Sequence, residues 1–292
     1  MSQRTPLKVW VTGSRPRTLP AAIAPVLVGT ALIRRDHHGI NWLNAILALL
    51  VSLSLQIAVN FANDYSDGIR GTDENRVGPV RLVASKLASA KAVKNAAMIC
   101  FLAASIFGLI LAIRVSWWLL LAGVISILAA WNYTGGKSPY GYRGLGEISV
   151  FIFFGLVATI GSYIVQSHRV TWQSVLVAIP VGSLSCAILA VNNLRDLPKD
   201  AIVGKRTLAV RLGDQNARRM FAGLLLTANF ASLIAGVITP WALVTVVFLP
   251  VTIGIIKYVQ AGAKGAELIS TLGKVGKLQL MLSTALAVAL FL

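Results

Sequence analysis

Apolar residues dominate this chain in runs of roughly 15 to 23 positions, and the charged residues collect in the gaps between them. Nine such runs stand out, at residues 19–33, 40–62, 93–113, 115–131, 147–165, 171–192, 219–238, 240–259 and 278–292. Most approach the ~20 residues that a helix needs to cross the hydrocarbon core, while the first, fourth and last are short. No run alternates with period two, so a barrel is not indicated, and only a helix satisfies its own backbone across such a stretch. The pattern predicts an all-α, polytopic membrane protein: a bundle of nine transmembrane helices forming a single domain over 1–292.

Composition agrees. Hydrophobic residues make up 56% of the 292 positions and charged residues only 13%, where soluble domains carry roughly a quarter. Met1 to Gly13 lacks the apolar core and small-residue cleavage site of a signal peptide, so the run from Leu19 is expected to be retained. Cys100 and Cys186 fall inside apolar runs and read as small buried hydrophobes. Trp117 and Trp118 read as interfacial anchors. The net charge of +17 would point to nucleic acid in a soluble protein. Here the basic residues lie between apolar spans, so the bilayer is the expected partner and nucleic acid is not. With the N-terminus inside, 23 of the 27 Lys and Arg fall on the inner side and only Arg34, Arg35, Arg114 and Arg169 fall outside. That asymmetry obeys the positive-inside rule and places the inner side in the cytoplasm.

The acids carry the functional signal. Nine of the 10 Asp and Glu share the inner side, Asp36 being the exception, and acids contribute little to topology. Asp64, Asp67, Asp73, Asp196 and Asp200 sit in two Asn-rich segments, each at the inner end of an even-numbered span. The first reads Asn60-Phe61-Ala62-Asn63-Asp64-Tyr65-Ser66-Asp67, and the second Asn192-Asn193-Leu194-Arg195-Asp196-Leu197-Pro198-Lys199-Asp200. Both contain Asn-x-x-x-Asp, four spans apart, which suggests two related helical halves sharing one site. Spacings of three and four place Asn60, Asn63, Asp64 and Asp67 on one helix stripe, and Asn192, Asp196 and Asp200 on another. Gly68 and Gly71 loosen the first helix, so Asp73 hangs from a loop. Oxygen donors without His or Cys suit a hard cation such as Mg²⁺, which completes its sphere with water and phosphate. Helix-end solvation and salt bridges to Arg70, Arg195 and Lys199 would be the purely structural explanation.

Basic residues beside the acids suit a diphosphate. Lys205 and Arg206 follow the second motif, and Lys137 sits in the Gly-rich turn Tyr133-Thr134-Gly135-Gly136-Lys137. Ordinary positive-inside loops would show the same residues. Arg15 and Arg17 precede the first span, where lipid anchoring is the competing reading. His37, His38 and His168 lie outside and read as solvated. A transporter with a cation site would also show many helices, internal similarity and membrane acids, although these acids sit at helix mouths rather than at midplane.

The segments Asn60 to Asp73, Tyr133 to Gly146 and Asn192 to Gly213 together resemble the UbiA superfamily of intramembrane prenyltransferases, over nearly the whole chain. The opening Arg15-Pro16-Arg17-Thr18 and the Asn63-Asp64-Tyr65-Ser66-Asp67 run look most like its menaquinone-forming branch. The resemblance implies Mg²⁺ as cofactor, a polyprenyl diphosphate as donor and 1,4-dihydroxy-2-naphthoate as acceptor, with another aromatic acceptor such as 4-hydroxybenzoate as the alternative. It implies catalytic roles for Asp64, Asp67, Asp196 and Asp200, and a metal set of those four with Asp73. Asn60, Asn63, Asn192, Lys137, Lys205 and Arg206 would bind diphosphate, and Arg17 and Tyr133 the acceptor. One position departs from the superfamily's common spacing: Gly71 stands where a third acid usually falls, and the acid comes two residues later as Asp73.

Overall fold

The computed structural model describes residues 6–72, 78 and 80–292. Among these there is no strand. A short helix α1 (Leu7–Gly13) and a 3₁₀ turn (Pro16–Thr18) lead into α2 (Pro20–Ala31). There follow α3 (Trp42–Ile69), α4 (Ala90–Arg114), α5 (Trp118–Thr134), α6 (Gly146–Val150), α7 (Ala158–Ser167), α8 (Trp172–Ile202), α9 (Leu208–Ile234), α10 (Leu249–Gln260) and α11 (Ala266–Phe291). A π-helical stretch, Phe151–Val157, joins α6 to α7 in one continuous rod.

Each of the nine apolar runs is helical, but not all are alike. Among the described residues, seven helices are long and apolar enough to cross a membrane. The first run bends by 54° against the N-terminal helical segment, and that pair would be an eighth crossing. The fourth run, α5, is apolar but only 17 residues long. The helices also overrun the apolar runs at the acid-bearing end. α3 continues to Ile69 and α8 to Ile202, while α9 starts at Leu208, with a kink at Gly213, and α11 starts at Ala266. Hydropathy cannot see these turns because their residues are polar. Both motifs therefore sit on helix, not in loops.

Side-chain caps fix where the long helices begin. Asn41 accepts from the Asn44 N–H to start α3, Ser89 from Ala92 to start α4, and Thr171 and Ser174 form a reciprocal capping box at α8. α8 is the most buried span. It packs on α9 and α11 through Leu184, Ile188, Val191, Phe221 and Leu272, while α3 packs on α4 and α5 through Ala58, Phe61, Val93 and Phe101. The α6–α7 rod leans on α8 where two glycines meet. A Cβ on Gly155 would come within 2.6 Å of the Gly182 Cα, so only glycine permits this crossing. The π-helical stretch at that contact turns Phe153, Phe154 and Val157 toward a central cavity. On the outside, Ile99, Leu102, Ile106, Leu121, Ile125 and Val247 are exposed, as residues facing lipid should be.

Candidate active site

The cavity, about 410 Å³, lies between α3, α4, α5, the α6–α7 rod and α8. Along α3 its wall runs from Ala48 to Asn63, roughly 22 Å of helix. Its body is apolar, with Leu55, Leu111, Ile127 and Phe153 among its walls. Its head is polar: Arg15, Gln56, Asn60, Asn63, Tyr133 and Asn192. A long apolar slot ending in polar groups is the shape an amphiphile with a charged head requires.

Beyond that head, loops gather around Asp67. Its carboxylate is buried and receives Lys205 Nζ at 3.1 Å and Arg81 Nη2 at 3.7 Å. The Tyr142 hydroxyl donates to the same carboxylate. Lys205 lies 4.6 Å above the Tyr142 ring, and Arg70 5.6 Å from it. Burial, and next the Asp67 charge, push the Tyr142 phenol above its ordinary value, with Lys205 opposing. Three loops thus meet here, since Arg81 follows α3, Tyr142 follows α5 and Lys205 follows α8. Arg70 fastens them by donating to the carbonyls of Thr134 and Gly136 at the end of α5. The Arg206 N–H adds a backbone bond of 2.9 Å to the Tyr142 carbonyl.

The second motif faces the same space. The Tyr133 phenol lies within electrostatic reach of Asp67 from the first motif and Asp200 from the second. Asp196 is held by Arg195 in a two-pronged pair, with both N···O distances 2.8 Å. Lys199 buries its Nζ with no hydrogen-bond partner among the described residues. A buried ammonium in that state is costly unless an anion joins it. Asn193 donates to Glu147 Oε1 at 2.9 Å, and Glu147 Oε2 is buried with no hydrogen-bond partner among the described residues.

The N-terminal turn closes the other side of the head. Arg15 has φ 52 and ψ 70, a left-handed conformation unusual for a non-glycine residue. Side chains from α3 hold it there. Asn60 Nδ2 donates to the Ser14 carbonyl at 2.9 Å and to Thr18 Oγ1 at 3.1 Å, and Gln56 donates to Thr18 Oγ1 at 2.9 Å. Strain of order 1–3 kcal/mol persists only where neighbours impose it, and it clusters at ligand sites.

Several sequence expectations shift accordingly. Asp67, Asp196, Asp200, Lys205, Asn63, Asn192 and Tyr133 all belong to the acid end or line the cavity. Asn60 lines the cavity too, but both its amide protons are committed to the N-terminal turn. Asp64 is fully buried, and its two oxygens accept the backbone N–H groups of Leu82 and Val83. Lys137 and Arg206 are exposed. Arg17 is exposed and absent from the cavity wall, where Arg15 stands instead. Asp73 lies outside the described residues. Sequence reasoning does not single out Arg81 and Tyr142 beside Asp67, or the buried Lys199. For Lys199 and Arg81 the available signal is a basic residue flanking an acid motif.

Among the described residues, no three acid, His or Cys side chains stand close enough to hold a metal ion by themselves. The donor chemistry still fits a hard cation. Asp67, Asp196 and Asp200 offer only oxygen, and the cations around them could pass to a phosphate.

The UbiA prenyltransferase family matches residues 22–271 of this chain. A 1,4-dihydroxy-2-naphthoate octaprenyltransferase of Mycobacterium tuberculosis is 48% identical over 281 residues, covering 96% of each chain. The enzyme of that name from Escherichia coli is 42% identical over 226 residues, 75% of this chain and 73% of its own. In fold, the chain resembles a UbiA homolog from Aeropyrum pernix K1 at TM-score 0.71, with 15% identity and 98% of both chains covered. It also resembles a UbiA homolog from Archaeoglobus fulgidus, solved with DMAPP and Mg²⁺, at TM-score 0.66 and 12% identity, over 96% of this chain and 99% of that one.

Proposed function

We propose that this chain, which belongs to the UbiA prenyltransferase family, transfers a long isoprenyl group from a polyprenyl diphosphate to 1,4-dihydroxy-2-naphthoate. The ring carboxylate leaves as CO₂, and the product is the prenylated naphthoquinol of menaquinone synthesis. The observation that carries this reading is the cavity itself: a slot roughly 22 Å long in apolar wall, headed by the polar groups that adjoin Asp67 and its cations. The names of the bacterial relatives supply the acceptor.

In this reading the isoprenoid tail lies along Leu55, Ile127 and Phe153, and its diphosphate meets Lys205, Arg81 and Lys199. Asp67, Asp196, Asp200 and Asp73 would hold Mg²⁺, which neutralises charge on the diphosphate when bound. The allylic C–O bond breaks with its electron pair on the diphosphate. Lys205 and Arg81, already buried at that point, stabilise the charge that develops there without first having to organise. The apolar wall excludes water from the allylic cation. The ring carbon bearing the carboxylate forms the new C–C bond, and the electrons of the C–CO₂ bond return to the ring.

Arg15 is the cavity-lining guanidinium and so the counterion proposed for the acceptor's carboxylate. Arg15→Gln is expected to raise KM for the naphthoate roughly 10- to 100-fold, the worth of a charge-assisted hydrogen bond. KM for the prenyl diphosphate should stay unchanged. A carboxylate-free 1,4-dihydroxynaphthalene should not distinguish the variant from the parent; if it did, Arg15 would not be reading the carboxylate.

The strong asymmetry of basic residues supports a cytoplasmic acid end. Inverted membrane vesicles given donor, acceptor and Mg²⁺ should release pyrophosphate into the medium, and right-side-out vesicles should not. Excess chelator should stop the release and Mg²⁺ restore it. Full turnover in metal-free buffer, or turnover confined to right-side-out vesicles, would contradict the reading.

A further inference from the structure

From the contacts of Asp64 we infer that this motif acid is a positioning residue, not a metal ligand: it pins the 80–84 segment so that Arg81 is held beside Asp67. The inference rests on the reading of the site as a diphosphate site.

Four contacts converge on the pinned segment. Asp64 Oδ2 accepts the Leu82 N–H at 2.8 Å and Oδ1 the Val83 N–H at 3.0 Å. Asp64 and Leu82 are both fully buried. Leu82 reaches up to Gly13, where a Cβ would come within 2.6 Å of it, and joins the cluster of Phe61, Val93 and Phe101. Val83 rests on Gly68, whose missing Cβ would lie 2.5 Å from the Val83 side chain. The carboxylate thus bridges two consecutive backbone donors, as an anion does in a backbone nest. Arg81 immediately precedes these donors in the chain, and its guanidinium is 3.7 Å from Asp67. Asp64 and Asp67 are three residues apart on one helix. Even so, the first sets both oxygens on backbone donors and has no exposed surface, while the second keeps its oxygens among side-chain cations that a ligand can displace. A metal reaching Asp64 would have to open the packing that leaves this carboxylate no exposed surface and disturb the segment it holds.

The test uses the full-length protein in lipid, first confirming Mg²⁺-dependent prenyl transfer by the parent, so that failure of the functional reading shows separately. Asp64→Asn should raise KM for the prenyl diphosphate by about tenfold and leave the Mg²⁺ half-saturation point unchanged. Gly68→Ala should do the same from the opposite side, because its Cβ levers Val83 without touching a carboxylate. In an Arg81→Gln background, Asp64→Asn should add nothing, since the residue it positions is gone. Hydrogen exchange at the Leu82 and Val83 amides should quicken in Asp64→Asn, a readout that needs no activity. The inference is overturned by an Asp64→Asn variant whose Mg²⁺ requirement rises tenfold or more with those amides still protected. Fully additive effects of Asp64→Asn and Arg81→Gln would overturn it as well.

Discussion

Asp67→Asn is expected to lower kcat by at least about 10²–10³, the largest effect of any single acid in the chain. Asp67 is the point where three loops converge. It balances Lys205 at 3.1 Å and Arg81 at 3.7 Å and accepts from Tyr142. Asparagine keeps the shape but removes the charge that holds these cations in place and that, in the proposed reading, would be offered to Mg²⁺. Two buried cations then lose a counterion, so some loss of stability should accompany the loss of rate. Measured at saturating Mg²⁺ on folded, membrane-inserted protein, a kcat within about threefold of the parent would remove Asp67 from the centre of the site.

Lys205→Met is expected to cost about 10² or more in kcat, with a smaller effect on KM for the naphthoate. Methionine approximates the stem's length and apolar surface, so the buried position should tolerate it. Asp67 keeps Arg81 as a partner, and the Tyr142 ring keeps Arg70 beside it. What disappears is the ammonium that would sit on the leaving diphosphate. Arginine should not restore the rate fully, because its planar fork differs from a compact ammonium in reach and in the directions of its donors. Steady-state kinetics with donor and acceptor varied separately would show it; unchanged kcat in Lys205→Met would assign the lysine to folding alone.

Periodicity and charge alone make the helical, membrane-spanning architecture legible in the sequence. The limits are equally physical. Polar helical turns are invisible to hydropathy, which is why α3 and α8 run past their apolar stretches and carry the motifs on helix. Helix-face reasoning puts Asn60 and Asp64 on one stripe with Asp67, and the stripe exists. It cannot reveal what faces that stripe. Asn60 meets the N-terminal turn, and Asp64 meets a segment 18 and 19 residues further on. Arg15 and Arg17 look interchangeable as letters, but only the backbone shows that Arg15 is left-handed and turned to the cavity. Lys137, singled out for its Gly-rich turn, is exposed, and the ordering cation of that turn is Arg70, one loop away.

The two motif helices share a packing habit but not their side-chain contacts. α3 packs chiefly on the helix that follows it, and so does α8. Yet Asn60 grips a turn while Asn192 lines the cavity, and Asp64 binds backbone while Asp196 pairs with Arg195. Equivalent letters at equivalent offsets have been put to different work because the loops reaching them differ in length and sequence.

The mass of the product tests the proposed reaction most directly. Purified protein in lipid would receive Mg²⁺, one polyprenyl diphosphate and an equal mixture of 1,4-dihydroxy-2-naphthoate and 4-hydroxybenzoate. A single product is expected, with the mass of the naphthoate plus the prenyl group less CO₂, and pyrophosphate released in equal amount. A prenylated 4-hydroxybenzoate, or a prenylated naphthoate that still carries its carboxylate, would contradict the proposed reaction.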